Sequence, residues 1–241
     1  MTYNTTQFEK DLKEIGITLT EHQIAQFMRY YELLVEWNSF MNLTGITEFE
    51  EVMKKHFLDS LSLVKALPLE GKELSLIDIG TGAGFPGLPL KIAFPHLKVT
   101  LLDSLNKRIK FLDEVIAQLG LTGIETIHGR AEDYAKEHDY REKYDTCVSR
   151  AVANLSTLSE YCLPFVKVGG NFVSYKSEKV LDEATVAERA ISLLGGKVST
   201  QVDFNLPDSD IYRNLFVIEK VSATPKKYPR KAGLPAKEPL K

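Results

Sequence analysis

The chain has 241 residues, 44% hydrophobic and 26% charged, with a formal net charge of −3. That is enough apolar material to bury a sizeable core, which excludes a largely disordered polymer; no run approaches the ~18 apolar residues of a membrane span. Two cysteines, Cys147 and Cys162, are too few for a disulfide framework or a four-ligand zinc site, so no metal is expected. The opening residues are polar and lack the apolar stretch of a signal peptide, so a cytoplasmic protein is expected.

Three N-terminal stretches have the spacing of a helix-capping box: Thr6 with Glu9, Thr20 with Gln23, and Thr47 with Glu50. Behind Thr20, the residues Ile24, Phe27, Met28, Tyr31, Leu34 and Val35 share one helical face. The third helix runs toward His56 and Leu61, so residues 1–66 are expected to form a helical extension.

After Pro68 strands and helices alternate. Strands are expected at 74–79, 98–103, 124–128, 144–149 and 170–175, with helices over 107–119 and 178–194. Two strands, 197–204 and 214–221, follow with only a loop between them. The pattern predicts an α/β domain over residues 67–223, with a mostly parallel sheet and an antiparallel edge. Residues 224–241 hold Lys226, Lys227, Arg230, Lys231, Lys237 and Lys241 against one acid, Glu238. This local +5 leaves −8 elsewhere, so polyanion binding should be local. The tail also holds four of the ten prolines and is expected to extend, reaching ~55 Å at ~3.1 Å per residue.

The strongest local signal is Asp78-Ile-Gly80-Thr-Gly82-Ala-Gly84-Phe-Pro-Gly87. A strand feeding a glycine-rich turn and then a helix brings backbone close to a ligand. Gly80, Gly82 and Gly84 fit the loop of S-adenosylmethionine-dependent methyltransferases, whereas Gly82, Gly84 and Gly87 fit a dinucleotide fingerprint. Asp103, ending the next strand, suits a ribose hydroxyl of either cofactor. Asp78 favours the methyltransferase, because its carboxylate precedes the loop where a cationic ligand would lie. Arg130-Ala-Glu-Asp133 sits where a carboxylate or backbone amide can meet an adenine edge. A nicotinamide oxidoreductase would need a proton donor, and Tyr175 with Lys179 has a short-chain dehydrogenase spacing; the glycine spacing does not match that class. The fold class expected is therefore the Rossmann-like class I S-adenosylmethionine-dependent methyltransferase.

The substrate loop should be Ser149 to Asn154. It lacks the Asn/Asp-Pro-Pro-Tyr pattern of exocyclic amine methylation, and neither cysteine is placed as a pyrimidine nucleophile; both read as buried small hydrophobes. Guanine N7 has no proton to lose, so alignment alone can serve, worth ~7–11 kcal/mol. A small-molecule substrate is the alternative, against which the basic tail argues.

Several blocks together resemble the ribosomal RNA small-subunit methyltransferase G family, also called glucose-inhibited division protein B. They are Trp37-Asn38 with Asn42-Leu-Thr44, Lys55 to Leu61, Asp78 to Leu90, Leu102 to Leu112, Gly129 to Asp133, Ser149 to Leu155 and Tyr228 to Gly233. Ser177 departs from the glycine expected there. The resemblance implies methylation of guanine N7 in the 530 loop of 16S rRNA, with S-adenosyl-L-methionine as cofactor and no catalytic base. It also implies that Gly80, Phe85, Ala131, Glu132 and Arg150 line the cofactor site, to which the residues themselves add Thr81, Gly82, Gly84 and Asp103. The partner would be 16S rRNA or the small ribosomal subunit, with no membrane and no obligate protein partner.

Arg150 suits the methionine carboxylate, the RNA, or an ion pair. Phe85 suits a cofactor contact or base stacking. His56 and Asp59 have the spacing of a hydrogen-bonded helical pair. Trp37, Tyr30 and Tyr31 read as core; Asn38 and Asn42 either cap a turn or face substrate. Lys107, Arg108, Arg130, Lys226, Lys227, Arg230 and Lys231 are the expected phosphate track. Loss of the tail should then weaken RNA binding and leave cofactor affinity unchanged.

Overall fold

A computed structural model describes residues 3–71, 73–150, 152–177 and 180–240. Lys179 and Lys241, named above, lie outside the described residues, as do Ala151 of the substrate loop and Glu178 of the expected helix.

The N-terminal region is helical: α1 (Thr6–Glu14), α2 (Glu21–Met41), α3 (Phe49–Val52), a π-helical stretch (Met53–Leu58), α4 (Asp59–Leu61) and a 3-10 turn (Ser62–Lys65). One of the three expected capping boxes forms. The Thr20 hydroxyl accepts from the Gln23 N–H at 3.2 Å, and the Gln23 side chain accepts from the Thr20 N–H at 2.9 Å. At α1 the cap is Thr5, whose hydroxyl donates to the Glu9 carboxylate at 2.7 Å and so caps no backbone N–H. At α3 the helix starts one residue later than the third box requires, with Glu48 as cap.

Seven strands follow, β1 (Ser75–Ile79), β2 (Lys98–Asp103), β3 (Ile124–His128), β4 (Tyr144–Arg150), β5 (Val166–Lys176), β6 (Gly196–Asn205) and β7 (Tyr212–Lys220). Between them lie α5 (Gly87–Ala93), α6 (Asn106–Gln118), α7 (Ala131–Tyr134), α8 (Leu155–Cys162) and α9 (Val180–Leu193). They form one sheet in the order β3-β2-β1-β4-β5-β7-β6, parallel except at β7, which pairs antiparallel with β5 and β6. This is the Rossmann-like α/β fold of class I methyltransferases. Strand order reverses between β1 and β4, and ligands of open α/β sheets bind at the carboxyl ends beside such a reversal.

Strand residues alternate between two cores. Leu76, Leu101, Val148, Val173 and Val217 face a cluster built with Phe27, Tyr30, Phe57, Leu88 and Phe111, so the N-terminal helices share a core with α5 and α6. Ile77, Leu102, Cys147, Phe172 and Phe216 face the other side, against Ala135, Leu158, Ile191 and Tyr228. Both cysteines are free and buried. Trp37 and Tyr30 pack against Phe111, as expected of core aromatics.

The tail does not extend. Thr224, Tyr228 and Pro235 are buried, and α10 (Leu234–Lys237) closes the segment against α8. Arg141 donates to the carbonyls of Thr224 at 2.7 Å and Tyr228 at 3.0 Å, and Arg230 pairs with Glu160 of α8. Composition registered the prolines and lysines but not the anchors spaced among them. Among the described residues no helix is long and apolar enough to cross a membrane.

Candidate active site

The glycine loop leaves β1 at the point of strand reversal. Gly80, Gly82 and Gly84 all have positive φ, 71°, 64° and 98°, a region costly for residues with a Cβ. Their surroundings differ. A Cβ on Gly84 would lie 2.4 Å from Leu88 and 2.7 Å from the Tyr30 hydroxyl, and one on Gly80 would meet Val152 at 2.7 Å. One on Gly82 would meet nothing closer than the Gly80 carbonyl at 4.0 Å. Gly84 is therefore a packing glycine, while Gly82 borders open space.

Asp78 is fully buried beneath the loop. Its Oδ2 accepts from the Thr81 hydroxyl at 2.7 Å and the Gly87 N–H at 2.8 Å, so it ties both ends of the turn together. Its Oδ1 is buried with no hydrogen-bond partner among the described residues. Burial pushes this carboxyl up to about 6, against the pull of Thr81, the Gly87 N–H and Arg150.

Asp103 is also buried, and its carboxylate is already engaged. Oδ2 accepts from the Gly82 N–H at 2.9 Å and Oδ1 from the Leu105 N–H at 2.9 Å. Arg108 pairs with Oδ2 at 3.1 Å. Asp103 thus fastens the glycine loop to the end of β2, a structural task that spacing did not reveal. Arg108, expected on a phosphate track, is drawn inward by the same pair.

Across the reversal, Arg150 ends β4. Its Nη1 donates to Asp59 Oδ2 at 2.8 Å and to the Lys55 carbonyl at 3.3 Å, and its guanidinium lies 5.0 Å from the Phe85 ring centroid. Asp59 Oδ1 accepts from Arg213 Nε at 2.8 Å, so one buried carboxylate holds two arginines. The expected His56–Asp59 bond is absent from the network described; the π-helical stretch between them changes the helical register. His56 Nε2 instead faces the Thr44 hydroxyl at 2.8 Å, while Nδ1 lies 3.4 Å from Arg150 Nη2. Burial first and Arg150 second lower the His56 pKa to about 4, so the ring is neutral at pH 7.

Phe85 is 6% exposed, stacked on His56 and on Tyr30 with centroids 4.5 Å and 5.6 Å away. Its ring is core, which corrects the expectation of base stacking. The Tyr30 hydroxyl donates to the Ala83 carbonyl and pins the loop from below. Asn38 Oδ1 accepts from the N–H groups of Leu43 and Thr44, capping the turn after α2, and Asn42 takes a left-handed conformation there.

Ala131 and Glu132 open α7 beyond β3; both are buried, and Glu132 Oε1 accepts from the Gly233 N–H at 2.7 Å. Of the expected basic residues, Lys107, Arg130, Lys226, Lys227 and Lys231 are exposed. Lys107 donates to the Met41 carbonyl at 2.9 Å, and Lys227 lies 5.2 Å from the Tyr228 ring centroid. Arg230 is not free: its Nε and Nη2 fork onto Glu160 at 2.9 and 2.7 Å. Asp59, Arg213, Tyr30 and Glu160 were not singled out as site residues by their spacing. A lone Glu160 among the small and apolar residues of α8 was the available signal for one of them.

The profile of the family described as rRNA small subunit methyltransferase G matches residues 23–212. The chain belongs to that family. The ribosomal RNA small subunit methyltransferase G of Lachnoclostridium phytofermentans is 57% identical over 237 residues, covering 98% of each chain. That of Limosilactobacillus reuteri is 56% identical, covering 98% of this chain and 99% of its own. These matches include the tail beyond residue 212. Among solved structures, a mutant of MtNAS aligns at a TM-score of 0.55 and 16% identity, covering 80% of this chain and 71% of that one. M. jannaschii TYW2 in complex with AdoMet aligns at 0.51 and 14%, covering 68% and 77%. Such identities speak to fold alone.

Membership in methyltransferase G removes the dinucleotide reading. The structure accounts for Tyr175 without it, since the buried hydroxyl donates to the Ser60 carbonyl at 2.8 Å.

Proposed function

We propose that this member of the methyltransferase G family uses S-adenosyl-L-methionine to methylate N7 of a guanine in the 530 loop of 16S rRNA. The observation that carries the reading is the loop at the strand reversal, where Gly82 borders open space and the buried Asp78 Oδ1 has no hydrogen-bond partner among the described residues. A buried carboxylate oxygen without a donor fits a ligand with a cationic end. Gly80, Thr81, Gly82 and Gly84 would shape the cradle, and Phe85 would contribute through its backbone, its ring being committed to core. Ala131 and Glu132 would meet the adenine, with Asp103 at the ribose, where a hydroxyl would take the place of the long 3.5 Å contact from Arg108 Nη1 to Oδ1.

When bound, the cofactor supplies an electrophilic methyl group on a sulfonium. The chain's task is alignment and charge. Arg150, held by Asp59, sets a fixed positive charge at the end of β4, and neutral His56 adds none. No group need remove a proton, because guanine N7 attacks with a lone pair. Outside the site, the exposed Lys107, Arg130, Lys226, Lys227 and Lys231 would meet phosphates. The enzyme would act on small-subunit RNA in the cytoplasm.

The test is transfer of a radiolabelled methyl group to small subunits and to naked 16S rRNA from cells lacking the enzyme, followed by digestion to nucleosides. Label in 7-methylguanosine is expected. Label in another nucleoside overturns the N7 assignment, and no transfer to either RNA reopens a small-molecule substrate.

A further inference from the structure

After β7 the chain crosses the whole height of the sheet. It starts at the amino edge, where the buried Lys220 amine donates to the carbonyls of Leu163 and Val166 and pairs with Glu142 at 3.0 Å. Glu142 in turn accepts from the Thr224 N–H at 2.7 Å. Tyr228 then packs in the core beside Ala135 and Leu158. Arg230 meets Glu160 midway, through its backbone N–H at 2.8 Å as well as its guanidinium. Gly233 reaches Glu132 of α7, and the Pro235 carbonyl accepts from the Thr157 hydroxyl of α8 at 3.1 Å. Pro239 and Leu240 end beside Asn154 and Leu155, at the carboxyl edge, where they help line a cavity of about 370 Å³.

Two features decide what this segment does. Glu132 and Glu160 are 4% and 0% exposed, and among the described residues the donors to both carboxylates come from the tail. A buried carboxylate deprived of its donors either takes up a proton or moves toward water. One of the two opens α7, directly after β3; the other belongs to α8, which follows the loop after β4. The tail therefore joins the two helices that flank the crevice on this face of the sheet.

We infer that residues 224–240 are a positioning strap for the cofactor site, holding α7 against α8 through Glu132 and Glu160, and are not a detachable RNA-binding arm. This rests on the cofactor reading above. The outward lysines of the same strap, Lys226, Lys227 and Lys231, stay exposed, so one segment carries an RNA-facing surface and fixes the cofactor pocket from within. Cofactor affinity then depends on the tail, contrary to the expectation from composition.

The test is calorimetric titration of S-adenosylhomocysteine into the full chain, a chain ending at residue 223, and the variants Glu132→Ala, Glu132→Gln and Arg230→Met, with thermal unfolding of each. The truncated chain should bind about tenfold more weakly or worse, the equivalent of one lost hydrogen bond to a charged group. Glu132→Ala should weaken binding, whereas Glu132→Gln should retain it, because an amide oxygen still accepts the Gly233 N–H. Arg230→Met, remote from the crevice, should weaken binding at temperatures where it remains folded. If the truncated chain does not fold, Arg230→Met decides, because Glu132 is itself read as an adenine contact. Full-length affinity in the folded truncated chain and in Arg230→Met overturns the strap and leaves the cofactor reading intact. A full chain that does not bind overturns both.

Discussion

His56 lies almost flat on Phe85, with ring centroids 4.5 Å apart and planes 20° apart, and the Arg150 guanidinium sits close to both. The stack joins the π-helical stretch of the N-terminal region to the glycine loop. Around Arg150, which acts on both groups, His56 and Asp78 titrate with opposite consequences.

His56 has its folded pKa lowered from 6.5 to about 4, so its neutral form contributes stability above pH 6.5 that is lost as pH falls toward 4. Asp78 has its folded pKa raised from 3.8 to about 6, so stability is gained as pH falls from about 6 toward 3.8. Each amounts to ~3 kcal/mol, and the two largely cancel. Thermal unfolding at pH 7 and pH 5 should separate them. His56→Gln should become more stable at pH 5 relative to pH 7 than the parent does, and Asp78→Asn less stable. Identical pH dependence in all three proteins would count against both assignments.

The glycine loop should divide by position. Both Gly82→Ala and Gly84→Ala carry ~1–2 kcal/mol of backbone strain. Gly84→Ala also overlaps Leu88 and Tyr30, adding ~1–3 kcal/mol, so it should chiefly lower the melting temperature. Gly82→Ala places its methyl in open space and should chiefly weaken S-adenosylhomocysteine binding, by about tenfold or more. Equal effects of both variants on stability and affinity would remove the distinction.

Asp59→Ala leaves Arg150 and Arg213 without their shared carboxylate. Removing one partner of a buried pair costs ~3–5 kcal/mol, and here two pairs share that partner. A melting temperature close to the parent's would show that the arginines find other partners. The loss should be accompanied by reduced methyl transfer, measured below the variant's own transition.

Sequence was most informative where local pattern and tertiary demand agree. The expected strands Lys98–Asp103 and Ile124–His128 form with those very ends. β5 begins four residues before its expected start, because the strand passes through Gly169 and Gly170 with an irregularity in its pairing to β4. Asp78 and the glycines were visible from spacing; that Asp103 serves the loop was not, since its partner Gly82 lies 21 residues away. The tail's packed course is not legible in its composition, which counts charges without direction. Arg230 turns inward to Glu160 across 70 residues, while Lys231 beside it faces out.

That difference in direction makes the last prediction. Arg130 lies alongside the strap, its guanidinium 3.9 Å from where a Cβ on Gly233 would be, and exposed Lys231 is two residues away in the chain. If both meet phosphates of unpaired RNA, Arg130→Ala with Lys231→Ala should lower the log–log salt slope by about 1.4, near 0.7 per contact. Neither residue donates to Glu132 or Glu160 in the network described, so cofactor affinity should hold. Arg108→Ala should behave differently: its partner Asp103 loses a charge-assisted contact, so stability and cofactor affinity should fall while the salt slope stays put. RNA binding measured at several salt concentrations distinguishes the two sets. A reduced slope for Arg108→Ala, with none for the double variant, would move the RNA track from the strap to the first turn of α6.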